Sequence, residues 1–172
     1  MSWIQTYSGR HFDPTHPDTE QLCIEDIAHA LSLLCRFNGH SREFYSVAEH
    51  SVRVSYIVPA EHALWGLLHD AGEAYLSDVP RPVKEWLPQF NEVEDRLLQV
   101  IVEHFGLSWP MPASVKVADD TMLVTEFRDL MATIPDGWEE RHPPHPDPVV
   151  PVPPHEAKAL FLARFRELTS ES

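Results

Sequence analysis

Residues 63–84 read ALWGLLHDAGEAYLSDVPRPVK. Ala63, Leu64, Leu67, Leu68 and Ala71 recur at helical spacing, and Pro59 just upstream suits a first helical turn, so the stretch opens as an amphipathic helix. His69 and Asp70 stand side by side near its end. Neighbours on a helix point about 100° apart, yet both reach one ion that sits over the surface between them. A neutral imidazole and a carboxylate are a common ligand pair for Zn, Mn, Fe or Co. Glu73 shares their face, three residues after Asp70 and four after His69, placed to touch a water without binding the ion itself. Ser77-Asp78-Val79-Pro80-Arg81-Pro82 then reads as a turn or extended stretch, because each proline disfavours helix in the residue before it. The dipeptide alone decides nothing, since a histidine near the core beside a solvated aspartate is the commoner cause of such a pair.

Outward from this stretch, helical patterning dominates. Upstream, Ile24, Ile27, Ala28, Leu31, Leu34 and Cys35 form one apolar stripe, and Arg36-Phe37-Asn38-Gly39 ends it with Gly39 as a left-handed cap. Ser46 followed by Glu49 has the form of a capping box opening a helix through Val54 and Ile57. Downstream, Asn91 with Glu94 marks a start for a helix through Leu97, Val100 and Ile101 to Gly106. Ser114 opens another with Val117, Ala118, Leu123 and Leu130, and a last helix runs from about His155 to Leu168. Residues 1–20 show no period and read as an irregular arm. Residues 135–154 hold eight of the sixteen prolines and read as a proline-rich, polyproline-like excursion. With no strong period-two alternation and no repeats, the expectation is an all-α, single-domain helical bundle of about six helices spanning 1–172.

Composition narrows the function classes. A chain of 172 residues with 43% hydrophobic and 23% charged residues buries a core without disulfide or metal staples. Cys23 and Cys35, twelve positions apart on one predicted helix, lie roughly 18 Å apart and cannot bond to each other. Two unpaired cysteines, no signal-like apolar run in MSWIQTYSGR and no apolar stretch of spanning length point to a cytoplasmic protein. A formal net charge of −14 repels nucleic acid polymer and anionic membrane. An anionic substrate must then be met locally, by a metal and a few placed cations.

Two more residues give the His-Asp pair its context. His50 stands nineteen residues before His69, and Asp119 forty-nine after Asp70, giving the order His…His-Asp…Asp on successive predicted helices. With CRFNGH at 35–40, SVAEHS at 46–51, LLHDAGEAYLSDVPRPVK at 67–84 and KVADDTMLVTE at 116–126, the chain resembles the HD-domain phosphohydrolases. Within them it is most similar to the bacterial deoxyribonucleoside 5′-nucleotidases and the phage dATP triphosphohydrolases. The resemblance runs from residue 24 to residue 131 and gives the segment 135–154 no motif.

The resemblance implies a role for each matching residue. His50, His69, Asp70 and Asp119 match the ligands of one divalent transition metal, with Zn, Co and Mn the candidates. Asp120 is the rival for the last place. Glu73 matches the catalytic acid and Asp78 a further acid of the site, while Arg36, Phe37 and Lys84 match substrate-binding positions. From the residues alone Asp78 is equally a turn former, Arg36 a complement to a helix dipole, Lys84 a solvated lysine and Phe37 a core aromatic. The implied activity is hydrolysis of a small-molecule nucleotide, with deoxynucleoside triphosphate, dATP foremost, as substrate and triphosphate as product. A 5′-nucleotidase acting on monophosphates is the alternative, and a non-catalytic nucleotide-binding protein the reading from another class. Relatives form dimers or hexamers, so a homo-oligomer is implied by resemblance only. HExxH and GxSxG motifs are absent, which speaks against a zincin protease and a serine hydrolase.

Overall fold

A computed structural model of the protein describes residues 3–170. The predicted arm is not wholly irregular: Ile4–Gln5 (β1) pairs antiparallel with His11–Phe12 (β2), with Gly9 in the left-handed region between them. Two-residue strands are too short to show alternation, which is why the sequence does not betray them. Residues 1 and 2 of the arm lie outside the described residues. Phe12 is fully buried and stacks on Tyr75 at 4.1 Å.

The rest is helical, and the fold is all-α. α1 (Ile24–Leu33) is followed by a tight turn at Arg36–Gly39, then α2 (Val47–Ile57), α3 (Ala63–Leu68), α4 (Glu73–Leu76), α5 (Arg81–Lys84), α6 (Pro88–His104), α7 (Ala113–Leu130), α8 (Trp138–Arg141) and α9 (Pro154–Ser170). Among the described residues these are six helices of six residues or more and three single turns of four, so the expected number holds for the principal helices. The stripe on α1 buries Ile27, Ala28 and Leu31. α1 packs on α2, α4 and α9, while α2 packs on α3, α7 and α9. Gly66 lets α3 approach α2: a Cβ there would lie 3.0 Å from Ser55 Cα. Each fully buried aliphatic or aromatic side chain in this core stabilises the fold by about 1.5–3 kcal/mol.

Several boundaries differ from the sequence expectation for identifiable reasons. Ser46 caps α2 through its hydroxyl, which accepts from the Glu49 amide at 3.1 Å, but the Glu49 carboxylate goes elsewhere and the box is not reciprocal. α6 opens at Pro88, whose fixed φ suits a first turn, rather than at Asn91. α7 opens at Ala113, and Ser114 pairs its hydroxyl with His62 Nδ1 at 2.7 Å. Pro80-Arg81-Pro82 is not simply extended, because Pro82 enters at the first positions of the single turn α5. The proline-rich segment contains one helical turn, α8, and otherwise runs extended to α9. No helix among the described residues is long and apolar enough to cross a membrane.

Candidate metal centre

Three helical segments bring one side chain or more to a common point. His50 lies at the end of the first turn of α2 and is fully buried. α3 ends at Leu68, so His69 and Asp70 fall in the turn that follows. Asp119 projects from the second turn of α7. His50, His69 and Asp119 each offer an atom within 4.8 Å of the others. His50 Nε2 stands 3.3 Å from His69 Nε2 and 3.3 Å from Asp119 Oδ1. Asp70 Oδ2 stands 3.2 Å from His69 Nε2 and 3.8 Å from His50 Nε2.

These separations suit a divalent ion. With metal–ligand bonds of about 2.0–2.2 Å, cis-octahedral to tetrahedral ligands sit about 2.8–3.6 Å apart, a range that three of these separations meet and that the 3.8 Å between Asp70 and His50 slightly exceeds. The imidazole orientations fit as well. His69 Nδ1 donates to the Gly66 carbonyl at 2.8 Å, which accepts only, so Nε2 carries the lone pair. His50 Nδ1 lies 2.6 Å from the buried Glu126 carboxylate, which likewise directs Nε2 inward. Such partners fix the ring and raise its basicity as a ligand. Burial and the Arg36 guanidinium disfavour the charged imidazole of His50, but Glu126 and Asp119 more than offset them and raise its pKa to about 9. Burial opposes ionisation of Asp119 and Asp70, yet the neighbouring imidazoles, His50 for the first and His69 for the second, hold both carboxyls below the usual range in the ion-free chain.

Glu126 is the hub behind the centre. It is fully buried on α7, two turns beyond Asp119. Besides His50 it accepts from Arg36 Nε at 3.1 Å and the Tyr45 hydroxyl at 2.9 Å, with Arg36 Nη2 3.0 Å from the oxygen that Nε donates to. Burial opposes its charge, but Arg36 and His50 overcome it and keep the carboxyl below its ordinary value.

A cavity of about 580 Å³ opens over the centre, with His69, Asp70 and Asp119 in its wall. That volume accommodates a small organic ligand. Glu73, 8% exposed, lines it with Oε2 making no hydrogen bond. Burial, reinforced by Asp70 and Asp78, pushes the Glu73 carboxyl well above the carboxylate range despite Arg36 and Lys84. Burial also raises Asp78 against the pull of Arg36. At the far end Phe37, Leu123 and Phe127 supply apolar surface, the two phenylalanines 5.5 Å apart. Phe37 and Asn38 hold φ of 55° and 50°, and Ser77, just before Asp78, holds 75°. Left-handed backbone at such residues is unfavourable and gathers at functional sites.

The comparisons with known proteins cover this whole arrangement. YfdR of Escherichia coli (strain K12), itself described as an uncharacterized protein, is 42% identical over 172 residues, covering 98% of this chain and 97% of YfdR. The chain belongs to the YfdR family. A second uncharacterized protein, from Rhodobacter capsulatus, is 34% identical over 187 aligned residues, covering 97% of this chain and 95% of its own length. No protein-family model matches the sequence.

In this YfdR-family chain the structure gathers all nine residues singled out from the sequence. Arg36, Phe37, His69, Asp70, Glu73, Asp78, Lys84 and Asp119 line the cavity, and His50 lies beneath it. Asp120 turns instead to Lys116 and Arg81. Two environments differ from the expectation. Arg36 is buried and ion-paired with Glu126, so it braces the centre rather than standing free at a helix end. Lys84 is bonded to Glu94 at 2.6 Å. Sequence reasoning missed Glu126, although its position seven residues after Asp119, on the same helical face, was a usable signal. It also missed Arg81, whose Nη2 donates to Asp119 Oδ2 at 3.0 Å, and Lys116, which reaches the same oxygen at 3.2 Å.

Proposed function

We propose that this chain is a divalent-metal-dependent phosphohydrolase of the HD type that acts on deoxynucleotides, cleaving a deoxynucleoside triphosphate to the deoxynucleoside and triphosphate. The observation that carries the reading is the convergence of His50, His69, Asp70 and Asp119 under a cavity that also holds an unpaired, high-pKa Glu73. His50, His69, Asp70 and Asp119 would hold the ion, which when bound supplies Lewis-acid activation of water and charge neutralisation on phosphate.

The side chains then divide the remaining work. Water attacks the phosphorus next to the 5′ oxygen and the P–O5′ bond breaks. Glu73, whose carboxyl burial pushes up, gives its proton to the departing 5′ oxygen, and the carboxylate so formed takes up the proton released by the attacking water. Asp78 positions that water or the sugar. Arg36, fixed by Glu126, keeps a positive charge 3.8 Å from Asp70 and next to the reacting phosphate. Phe37 and Phe127 offer an aromatic wall for base or sugar. Arg81 and Lys116, both lining the cavity, can exchange Asp119 and Asp120 for the outer phosphates alongside Lys84.

One observation favours the 5′-nucleotidase as a second reading. Arg36 and Lys84 are already neutralised by Glu126 and Glu94, and a monophosphate needs no clamp for outer phosphates. Chromatography of reactions with deoxynucleoside mono- and triphosphates, each with Mn, Co or Zn, separates the two. Triphosphate plus deoxynucleoside supports the first reading. Single phosphate from monophosphates, with triphosphates intact, replaces it with the second, and no turnover with any nucleotide rejects both.

A further inference from the structure

Side chains of two helices lace the proline-rich strap, residues 143–153, whose last residue leads directly into α9. Polyproline-like chain makes no internal hydrogen bonds, so its buried polar groups need outside partners. Here the amides of His145, Val149 and Val152 donate to Thr125 Oγ1 at 2.8 Å, Asp129 Oδ2 at 2.7 Å and Glu49 Oε2 at 2.9 Å. The carbonyls of His145 and Asp147 accept from Arg128 at 2.8 and 3.3 Å, and that of Val150 accepts from Arg53 Nη2 at 3.1 Å. Arg53 is itself clasped by Glu49 Oε1 at 2.8 Å. Val149 is buried in the core between these points.

All of these partners sit on α2 or α7. Glu49 immediately precedes His50, and Thr125 immediately precedes Glu126. The strap therefore joins the same two helices that the 2.6 Å His50–Glu126 bond joins, one residue away at each end. We propose that the strap is a positioning clamp: it sets the separation of α2 and α7, and with it the His50–Glu126 bond that orients a metal-binding imidazole. The inference rests on the reading of His50 as a ligand. Thr125 and Asp129 are positioning residues in this scheme and touch neither ion nor substrate.

The test uses the full chain and cobalt(II) alone, with its Kd from competition against a chromophoric chelator and its visible ligand-field spectrum. Thr125→Val with Asp129→Ala removes the acceptors of two strap amides. Both readouts are expected to change: Kd rises roughly tenfold, the lower end of what loss of a ligand-orienting partner costs, and the spectrum shifts, while the apoprotein still unfolds cooperatively. Thr125→Ser, which keeps the acceptor, restores the parent Kd. Phe161→Leu, a core change on α9 that lowers apoprotein stability without touching the strap bonds, leaves Kd unchanged. If the double variant does not fold, Thr125→Val alone gives the same readout. A parent-like Kd and spectrum in the unlaced variant, or equal weakening by Phe161→Leu, overturns the clamp while leaving the metal site standing. A parent chain that binds no cobalt overturns both.

Discussion

Glu126→Gln removes a charge and little else, which makes it the most informative perturbation of the buried network. The glutamate holds Arg36 through two contacts of 3.0 and 3.1 Å, His50 at 2.6 Å and Tyr45 at 2.9 Å, with no exposure to solvent. The amide keeps the volume and one acceptor oxygen, but Arg36 is left with Asp70 at 3.8 Å, and Asp119 beyond it, as counter-charges. Breaking a buried ion pair from one side costs about 3–5 kcal/mol, a large part of the roughly 5–15 kcal/mol that holds a domain together. For a chain of this size about 2–4 °C follows each kcal/mol, so the melting temperature is expected to fall by roughly 6–20 °C. Loss of the carboxylate behind His50 is expected to weaken metal binding by about 10- to 100-fold as well. Circular dichroism melts of the apoprotein and chelator competition read the two effects separately. Adding Arg36→Met removes the stranded guanidinium and is expected to recover part of the stability but none of the metal affinity. A Glu126→Gln chain that melts like the parent and binds metal as tightly would refute the hub.

Glu73→Gln keeps shape but cannot carry a proton, so metal content is expected to be near that of the parent while turnover falls by about 10²-fold or more; a fully active variant demotes Glu73 to a cavity wall. Arg81→Ala is expected to raise KM for a deoxynucleoside triphosphate by about tenfold, the worth of a lost charged contact, and to change the monophosphate little. Lys84→Ala acts in the same sense, and equal effects on both substrates in steady-state kinetics would remove these cations from the outer phosphates. Gly66→Ala forces a Cβ to within 3.0 Å of Ser55 Cα and 3.1 Å of Val58 Cγ2. It is expected to cost about 1–3 kcal/mol in denaturant unfolding, and an unchanged midpoint would show that α2 and α3 separate freely.

What the sequence revealed and what it hid have physical causes. Helices with a one-sided apolar stripe, such as α1, were legible because burial imposes their period. The candidate metal-binding quartet was legible as an ordered set of residue types, but its convergence was not. His69, still in helical backbone as the C-cap of α3, and Asp70 come to one point just past Leu68, and no local pattern tells which way that end of the helix faces. The ion pair of Arg36 was hidden because its partner Glu126 is ninety residues away, and no local pattern distinguishes a guanidinium paired in a core from one left free. The strap read only as a proline-rich excursion without a motif for the same reason. Its hydrogen bonds go to side chains on helices far along the chain, and proline content alone says only that it cannot bond to itself. The hairpin was hidden by brevity.

The account stands on one ion held by four side chains, and the direct measurement is metal content and turnover of the parent and Asp70→Ala, purified and assayed side by side. Asp70 brings a charged oxygen to 3.2 Å from His69 Nε2 and 3.8 Å from His50 Nε2. The parent is expected to hold one divalent ion per chain and to hydrolyse a deoxynucleotide. Asp70→Ala is expected to lose ion and activity together while its helical circular dichroism persists. An Asp70→Ala chain that keeps a full complement of metal and normal turnover would contradict the central claim.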